Sequence, residues 1–534
     1  MYRRHTNFAV ESIEQTFSGA ADFGRKVSAT LQRNGDLVSN VYLRVVVSAS
    51  TTDSVDKKWA WVKKLGHALI SSVELNIGGT KIDKQYGDWM NCWYELSRKF
   101  GQDRGYAKMI GNTEELTQLS QSHKSATLYV PLYFFHCRND GLALPLIALQ
   151  YHDVRYEFEF RKLEECVITS NCNAGTLGLR MEAASLFVDY VYLESEERKK
   201  FAQNAHEYLI EQIQFTGEES VSINSNKFRL NFNHPCKALY WNLKLGRYTN
   251  PSGAYKFLAY DSADTNNLRL QATKRFVLAL ATYDATSTAA APKLSHTNNK
   301  LTTLVTGPLL ALFNAANAVV ISTDVDVDNV TILGDLLSLD DASKPTEQLF
   351  KSIATIARVA YGQGSDLYDV VVRQYDNYGV YMNGTENPVQ KGLLQLNGHD
   401  RFSERDGNYF NYVQPWQHHS NTPSDGLCMY SFSLNPEDHQ PSGTCNMSRI
   451  DNATLNITFG VEGVSDFKAQ FLADDSKISI YALNYNVLRI LSGMGGLASM
   501  TQFDWAQKLH AIVNGLLQWK NVMTPTCYTH VVCS

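Results

Sequence analysis

Apolar and polar residues alternate along much of this chain with the two-residue period of half-buried strands. Val41, Leu43, Val45 and Val47 alternate with Tyr42 and Arg44, and Val154, Tyr156, Phe158 and Phe160 with Arg155, Glu157, Glu159 and Arg161. Leu186 to Leu193 reads as another strand. Val73, Leu75 and Ile77 run into Gly78-Gly79 and then Ile82, which predicts a hairpin. In the second half, strands are predicted over Ile210–Val221, through Leu239, Trp241, Leu243 and Leu245, and from Ile478 through Leu488. SGMGGL, from Ser492, then breaks the pattern as a turn. Helical spacing occurs over Trp89 to Phe100 and at Leu349, Phe350, Ile353, Ile356 and Ala357. Many short strands punctuated by Gly and Pro, with few long helices, predict all-β sandwiches or barrels.

Two stretches match across the chain. VELNIGGTKIDKQYGDWMNCW (Val73–Trp93) and LLQLNGHDRFSERDGNYFNY (Leu393–Tyr412) align on Leu75-Asn76 and Leu396-Asn397. Gly87 and Gly407 follow about a dozen residues on, and Asn91 and Asn411 stand four beyond each glycine, with one gap. Leu128–Phe160 and Met429–Phe459 repeat a strand, a Gly/Pro-rich loop and a strand. A repeat this long is a duplicated domain, since solenoid periods are about 20–50 residues. The expected fold is two tandem eight-stranded antiparallel jelly rolls with loop insertions and short helices. The predicted divisions are a polar N-terminal arm (1–24), a first roll (25–200), a linker (201–209), a second roll (210–496) with a large insertion at 247–390, and a tail (497–534). Phe503, Trp505, Leu509, Ile512, Val513, Leu516 and Leu517 make that tail partly helical and amphipathic.

Length changes little: 534 residues exceed one core and require at least two domains. A formal charge of −5 argues against a basic nucleic-acid binder, so no direct nucleic-acid contact is expected. The N-terminus lacks the apolar core of a signal peptide. Nine cysteines in an odd, irregular set, without CxxC, predict free thiols in a reducing compartment. The uncharged run Leu301–Thr323 holds Gly307, Pro308, Asn314 and Asn317, so a buried or loop-forming insertion fits better than a membrane span.

Candidate chemistry is sparse. Asp324, Asp326, Asp328 and Asp335 have calcium-loop spacing, but Asn329 stands where glycine is required. No His-x-His or GxSxG occurs. His418-His419 on a strand would face opposite ways. His67, His136, His152, His399 and His439 are scattered and read as structural or surface residues. No catalytic residue, metal ligand or cofactor is assigned. Sequons at Asn329, Asn383, Asn446, Asn452 and Asn456 are the candidate glycosylation sites. Asn456 alternates with Leu455 and Ile457, so it should point away from the core.

NPEDHQPSGTCNMSRIDNATLNITF (Asn435–Phe459) resembles the signature stretch of major capsid proteins of nucleocytoplasmic large DNA viruses. PLYFFHCRNDGLALPLIALQYHDVRYEFEF, HTNFAVESIEQTFSGAADFGRKV, LNGHDRFSERDGNYFNYVQPWQHH and YALNYNVLRILSGMGGL are similar to the same family. That resemblance implies a double jelly roll and a homotrimeric, pseudo-hexagonal capsomer tiling an icosahedral shell over an internal membrane. It implies no catalytic residues. The implied partners are neighbouring capsomers, minor capsid and penton proteins and the membrane surface. The implied location is the virion capsid, assembled in host cytoplasm. A secreted carbohydrate-binding sandwich and a metal-dependent β-barrel enzyme are the competing classes. The missing signal peptide weighs against the first and the missing ligand set against the second.

Overall fold

The computed structural model describes residues 7–497, apart from 54–56, 118–119, 171, 222, most of 247–376, 381–385 and short stretches between 463 and 474. The first half supplies β1 (Phe8–Thr16), β2 (Lys26–Thr30), β3 (Leu37–Val47), β4 (Ile70–Ile77), β5 (Thr80–Tyr86), helix α1 (Gly87–Ser97), β6 (Ala126–Pro131), β7 (Leu144–Pro145), β8 (Val154–Phe160) and β9 (Met181–Leu193). One antiparallel sheet runs β1-β9-β3, with β6 and β7 both on β3; the other runs β2-β8-β4-β5. Val41, Leu43 and Val45 of the first sheet pack on Val73, Leu75, Tyr156 and Phe158 of the second, as their alternation requires.

Helix α2 (Ser195–Gln203) leads into the second half. Its strands are β10 (His206–Val221), β11 (Ser225–Arg229), β12 (Pro235–Lys244), β13 (Val389–Leu396), β14 (His399–Asp400) and β15 (Arg405–Asp406), then β16 (Leu427–Ser431), β17 (Cys445–Asn446), β18 (Ala453–Phe459), β19 (Ser476–Leu491) and β20 (Met494–Leu497). The sheets run β10-β19-β12, with β16 and β17 on β12, and β11-β18-β13-β14, with β15 on β13. The strand order matches that of the first half, except that β20 (Met494–Leu497) adds to β19 and that β14 and β15 stand where the first roll has β5 alone. The fold is a double jelly roll. Two-residue strands such as β7, β14, β15 and β17 carry the described sheets beyond the expected eight strands per roll.

The duplication holds at the level of strands, and its register differs from the sequence match. β4 and β13 occupy the same place in their sheets, so Leu75 and Leu396 lie on equivalent strands. The hairpins, however, turn at Gly78-Gly79, closed by Ile77 and Thr80, and at Asn397-Gly398, closed by Leu396 and His399. All four turn residues have positive φ, the backbone of the tight turn that suits strand twist. Ile77, not Leu75, is therefore the partner of Leu396. Gly87 and Gly407 do correspond. A Cβ on Gly87 would meet the carbonyl oxygens of His67 and Ile70, and one on Gly407 that of Val389. Ile70 and Val389 open the equivalent strands β4 and β13. A helical segment follows each glycine: α1 in the first roll, and a π-turn (Tyr409–Val413) with α3 (Gln414–His418) in the second. Asn91 and Asn411 are both fully buried.

Other expectations change too. Within the predicted arm, Phe8–Thr16 pairs along its whole length with β9. As an edge strand it is largely exposed, which masks its pattern. Residues 201–209 are divided between the end of α2 and the start of β10. SGMGGL turns at Ser492-Gly493, and Met494–Leu497 then returns as β20 on β19. Most of the 247–390 insertion lies outside the described residues, as do Leu349–Ala357, most of Leu301–Thr323 and the whole 498–534 tail. Within the insertion, Leu294–Thr297, Lys300–Thr303 and Val325–Asp326 form a small antiparallel sheet.

Candidate functional site: the seam between the rolls

All ten residues of β12 are buried, and so is nearly all of β19. A strand at the surface of a sandwich buries alternate residues; burial on both faces means that a second layer covers it. The inward set, Leu239, Trp241, Leu243, Ile478, Ile480 and Ala482, packs in the second roll's own core. The opposite set, Ala238, Tyr240, Tyr481 and Leu483, belongs to the core of the first roll. The outer face of this sheet is therefore an internal layer of the molecule.

The first roll meets it with an aromatic shelf built by β5 and α1. Tyr86 stacks edge-on against Phe215 at 4.9 Å. Trp89 lies 5.1 Å from the Tyr240 ring and 5.5 Å from that of Tyr481. Trp93 packs 5.9 Å from His419 and beneath the Arg138 guanidinium, 4.0 Å from the ring. Backbone groups cross the seam as well. Asp83 accepts the Ile213 N–H at 3.0 Å, and Gln212 donates to the Ile82 carbonyl.

Buried charges are set into this apolar contact. Lys244 donates to Asp88 across the seam and to Glu218 at 2.8 Å. Arg161 stands 3.8 Å from Asp88. Glu211 is held by Lys237 at 2.6 Å and, from the first roll, by Arg138 at 2.5 Å. Glu95 accepts from Lys64 at 2.9 Å and from the Ser424 hydroxyl at 2.8 Å. Burial pulls the Lys244 ammonium down, but Asp88 and Glu218 outweigh it and hold the proton more firmly than usual. Burial dominates at Lys237, which is lowered despite Glu211, and at Asp83, which is pushed up to about 6. Such pairs contribute little net stability, but removing one partner strands the other at a cost of about 3–5 kcal/mol. They fix one alignment of the two rolls.

The sequence-predicted residues are not gathered into a site. Asn329 and Asn383 lie outside the described residues. Asn446 caps a short helical turn, accepting the Ser448 N–H at 3.1 Å. Asn452 is exposed. Asn456 does sit on the outer side of its sheet, but it is half-buried and its amide donates to Gln395 at 3.2 Å. His136 is enclosed between the Ser39 carbonyl and the Tyr156 hydroxyl, both at 2.7 Å. Burial pushes His67 down to about 3 and His136 down to about 4, so both are neutral. His418 and His419 end a helix rather than lie on a strand, and His419 bonds Glu437 at 2.7 Å. Among the described residues, no group of three His, Cys, Asp or Glu side chains could hold a metal ion, and no helix is long and apolar enough to cross a membrane. The described cysteines are free thiols; burial pushes Cys92 and Cys428 up to about 12. Sequence reasoning missed the seam. The available signal was Lys237 and Lys244 bracketing an aromatic strand that lacks a polar face.

Comparisons with known proteins agree with this architecture. The family described as large eukaryotic DNA virus major capsid protein matches residues 197–496, and major capsid protein N-terminus matches residues 1–194. The chain is 41% identical to capsid protein 1 of Acanthamoeba polyphaga mimivirus, over 93% of this chain and 95% of that one. It is 42% identical to the major capsid protein of Phaeocystis pouchetii virus, over 93% and 94%. Among solved structures, a quasi-atomic model of the PBCV-1 virus capsid superposes with a TM-score of 0.60 at 30% identity, covering 94% of this chain and 99% of that one. The Faustovirus major capsid protein shares the fold, with a TM-score of 0.59 at 11% identity over 92% of each.

Proposed function

The chain belongs to the major capsid protein family of large eukaryotic DNA viruses, and from that membership we propose that it closes into a homotrimeric capsomer of pseudo-hexagonal outline. Its role is structural: it associates with itself to form an icosahedral capsid and resides in the virion shell. The repeated topology supports the trimer. One chain carries two rolls of the same strand order, so three chains present six similar flanks from one gene product. Rigid fusion of the rolls through a buried seam keeps those flanks at fixed angles, which a closed lattice requires.

The finer assignments rest on the same reading. The 247–390 insertion faces outward, because loops at one end of a jelly roll can grow without disturbing its core; Asn329 and Asn383 would then be accessible to sugar transfer. The tail beyond Leu497 serves the inner side of the shell, toward minor capsid and penton proteins or the membrane surface, and assembly takes place in host cytoplasm. Sedimentation of the purified protein tests the central proposal. A particle near three times 60.0 kDa is expected, with an interface above roughly 2,000 Å², the size of obligate contacts. A stable monomer at micromolar concentration would overturn it.

A further inference from the structure

Two thiols stand opposite each other in the second roll. β17 is a two-residue strand on β12, and its register sets Pro235 against Asn446 and Cys236 against Cys445. Residues directly opposed on antiparallel strands have Cα atoms about 4.5 or 5.5 Å apart and project to the same face of the sheet. A disulfide spans Cα atoms about 4.4–6.8 Å apart. Both side chains meet one core: Cys236 is fully buried in the second roll's cluster, and the half-buried Cys445 packs against it. Among the described residues, no other two cysteines are opposed in this way; Cys428, on β16, faces Trp241.

The two thiols differ in access. Cys236 is closed off, and its Sγ–H donates to the Ala238 carbonyl at 3.3 Å. Burial, and after it the neighbouring Cys445, push that thiol up. Cys445 follows the exposed Gly443 and Thr444. Burial raises it too, but the Arg401 guanidinium works against the rise. Cys445 is thus the thiol that a dissolved oxidant meets. The loop ahead of β17 lies over the seam. The Asp438 carbonyl accepts from Lys237 at 2.8 Å, Glu437 bonds His419 at 2.7 Å, and the His439 carbonyl accepts the Tyr485 hydroxyl at 3.2 Å. Its far end is tied to the sheet by the two pairs of β17 and by the Met447 N–H on the His234 carbonyl at 3.0 Å.

We propose that Cys236 and Cys445 form a modification site, closed into a cross-strand disulfide when the protein leaves a reducing compartment, and that this bond fastens the 435–444 loop over the seam. The co-reactant is a low-molecular-weight disulfide. The Cys445 thiolate attacks one of its sulfurs, forming a mixed disulfide and releasing one thiol. The Cys236 sulfur then attacks the Cys445 sulfur, and the second thiol leaves with the Cys236 proton. The protein gives up two electrons and two protons, and the reagent is reduced to two thiols. The loop so closed contains the whole 247–390 insertion. Closing so long a loop restricts the unfolded chain, so the oxidised protein should resist urea better than the reduced one.

Peptide mapping of the folded, full-length protein tests it. The protein is held in oxidised glutathione, remaining thiols are blocked with iodoacetamide, and the digest is read by mass spectrometry without reduction. A linked Cys236–Cys445 peptide, two hydrogens lighter than the two free peptides together, is expected in most chains, and dithiothreitol should remove it. On a non-reducing denaturing gel the closed loop should make the oxidised chain run faster. Cys445→Ser should abolish both signals, and Cys428→Ala should leave both. The urea midpoint of the wild type should rise on oxidation, and that of Cys445→Ser should not. Cys445 found free or only as its glutathione adduct, or Cys236 linked to other cysteines as often as to Cys445, would overturn the pairing. A linked protein whose midpoint does not rise would overturn the fastening.

Discussion

Replacing Trp89 by alanine tests whether the seam is core or merely contact. The indole is 1% exposed and touches two aromatic rings of the other roll. Truncating a buried tryptophan costs about 3–5 kcal/mol through lost transfer energy and the cavity left behind. The two ring pairs, at about 0.5–1.5 kcal/mol each, place the loss at the upper end of that range. Total stabilities are about 5–15 kcal/mol, so a loss of about 5 kcal/mol is large. The assay is equilibrium urea unfolding followed by circular dichroism, at one protein concentration because association adds to apparent stability. Trp241→Ala is the reference, since Trp241 is fully buried within the second roll alone. The wild type should unfold in one transition, both rolls together, and Trp89→Ala should lose as much as Trp241→Ala. A loss below about 1 kcal/mol, near the range of surface substitutions, would refute the claim that the rolls share a core.

Acid should weaken the first roll through His136. Its folded pKa, pushed down to about 4 by burial, lies below the unfolded value of 6.5. The neutral ring therefore stabilises the fold above pH 6.5, and that contribution is lost as pH falls through 4. Between pH 6.5 and 5 the loss is on the order of 2 kcal/mol, and His136→Gln should flatten this limb of the urea midpoint against pH. Gly407→Ala should block folding, because its Cβ would lie 1.6 Å from the Val389 carbonyl oxygen. Gly105→Ala, in a helix with no atom within 4 Å of the added Cβ, should be neutral or gain up to about 1 kcal/mol by thermal melting. Peptide mapping of virion-purified protein should find Asn456 without sugar, since its amide is already bound to Gln395.

Several strands of both rolls could be read from the chain because each buries at least one face in its own sandwich. Val154 to Phe160 is the clearest case: the predicted strand and the observed one coincide. The register could not be read as well. The shared Leu-Asn pairs drew the alignment two residues away from the hairpin turns, where Gly78-Gly79 and Asn397-Gly398 carry the geometry but share only one glycine. The edge strand Phe8–Thr16 was missed because solvent covers most of it. The seam was missed for the opposite reason. Leu239, Trp241, Leu243 and Leu245 gave the pattern of a half-buried strand, whereas in three dimensions its other face is covered too, and Lys244 is neutralised by Asp88, 156 residues away in sequence. Pairing at that distance leaves no local periodicity.

The shared core also sets a timetable for synthesis. Ser97 ends the helix of the aromatic shelf, and the strand that covers it ends at Leu491, roughly 390 residues later. At about 5–20 residues per second the ribosome needs about 20–80 s to deliver that cover, and the 247–390 insertion alone accounts for about 7–30 s of it. Throughout that interval the nascent first roll presents Tyr86, Trp89 and Trp93 uncovered. Apolar surface exposed in this way is prone to association between nascent copies, so slowing delivery of the second roll lengthens the exposure.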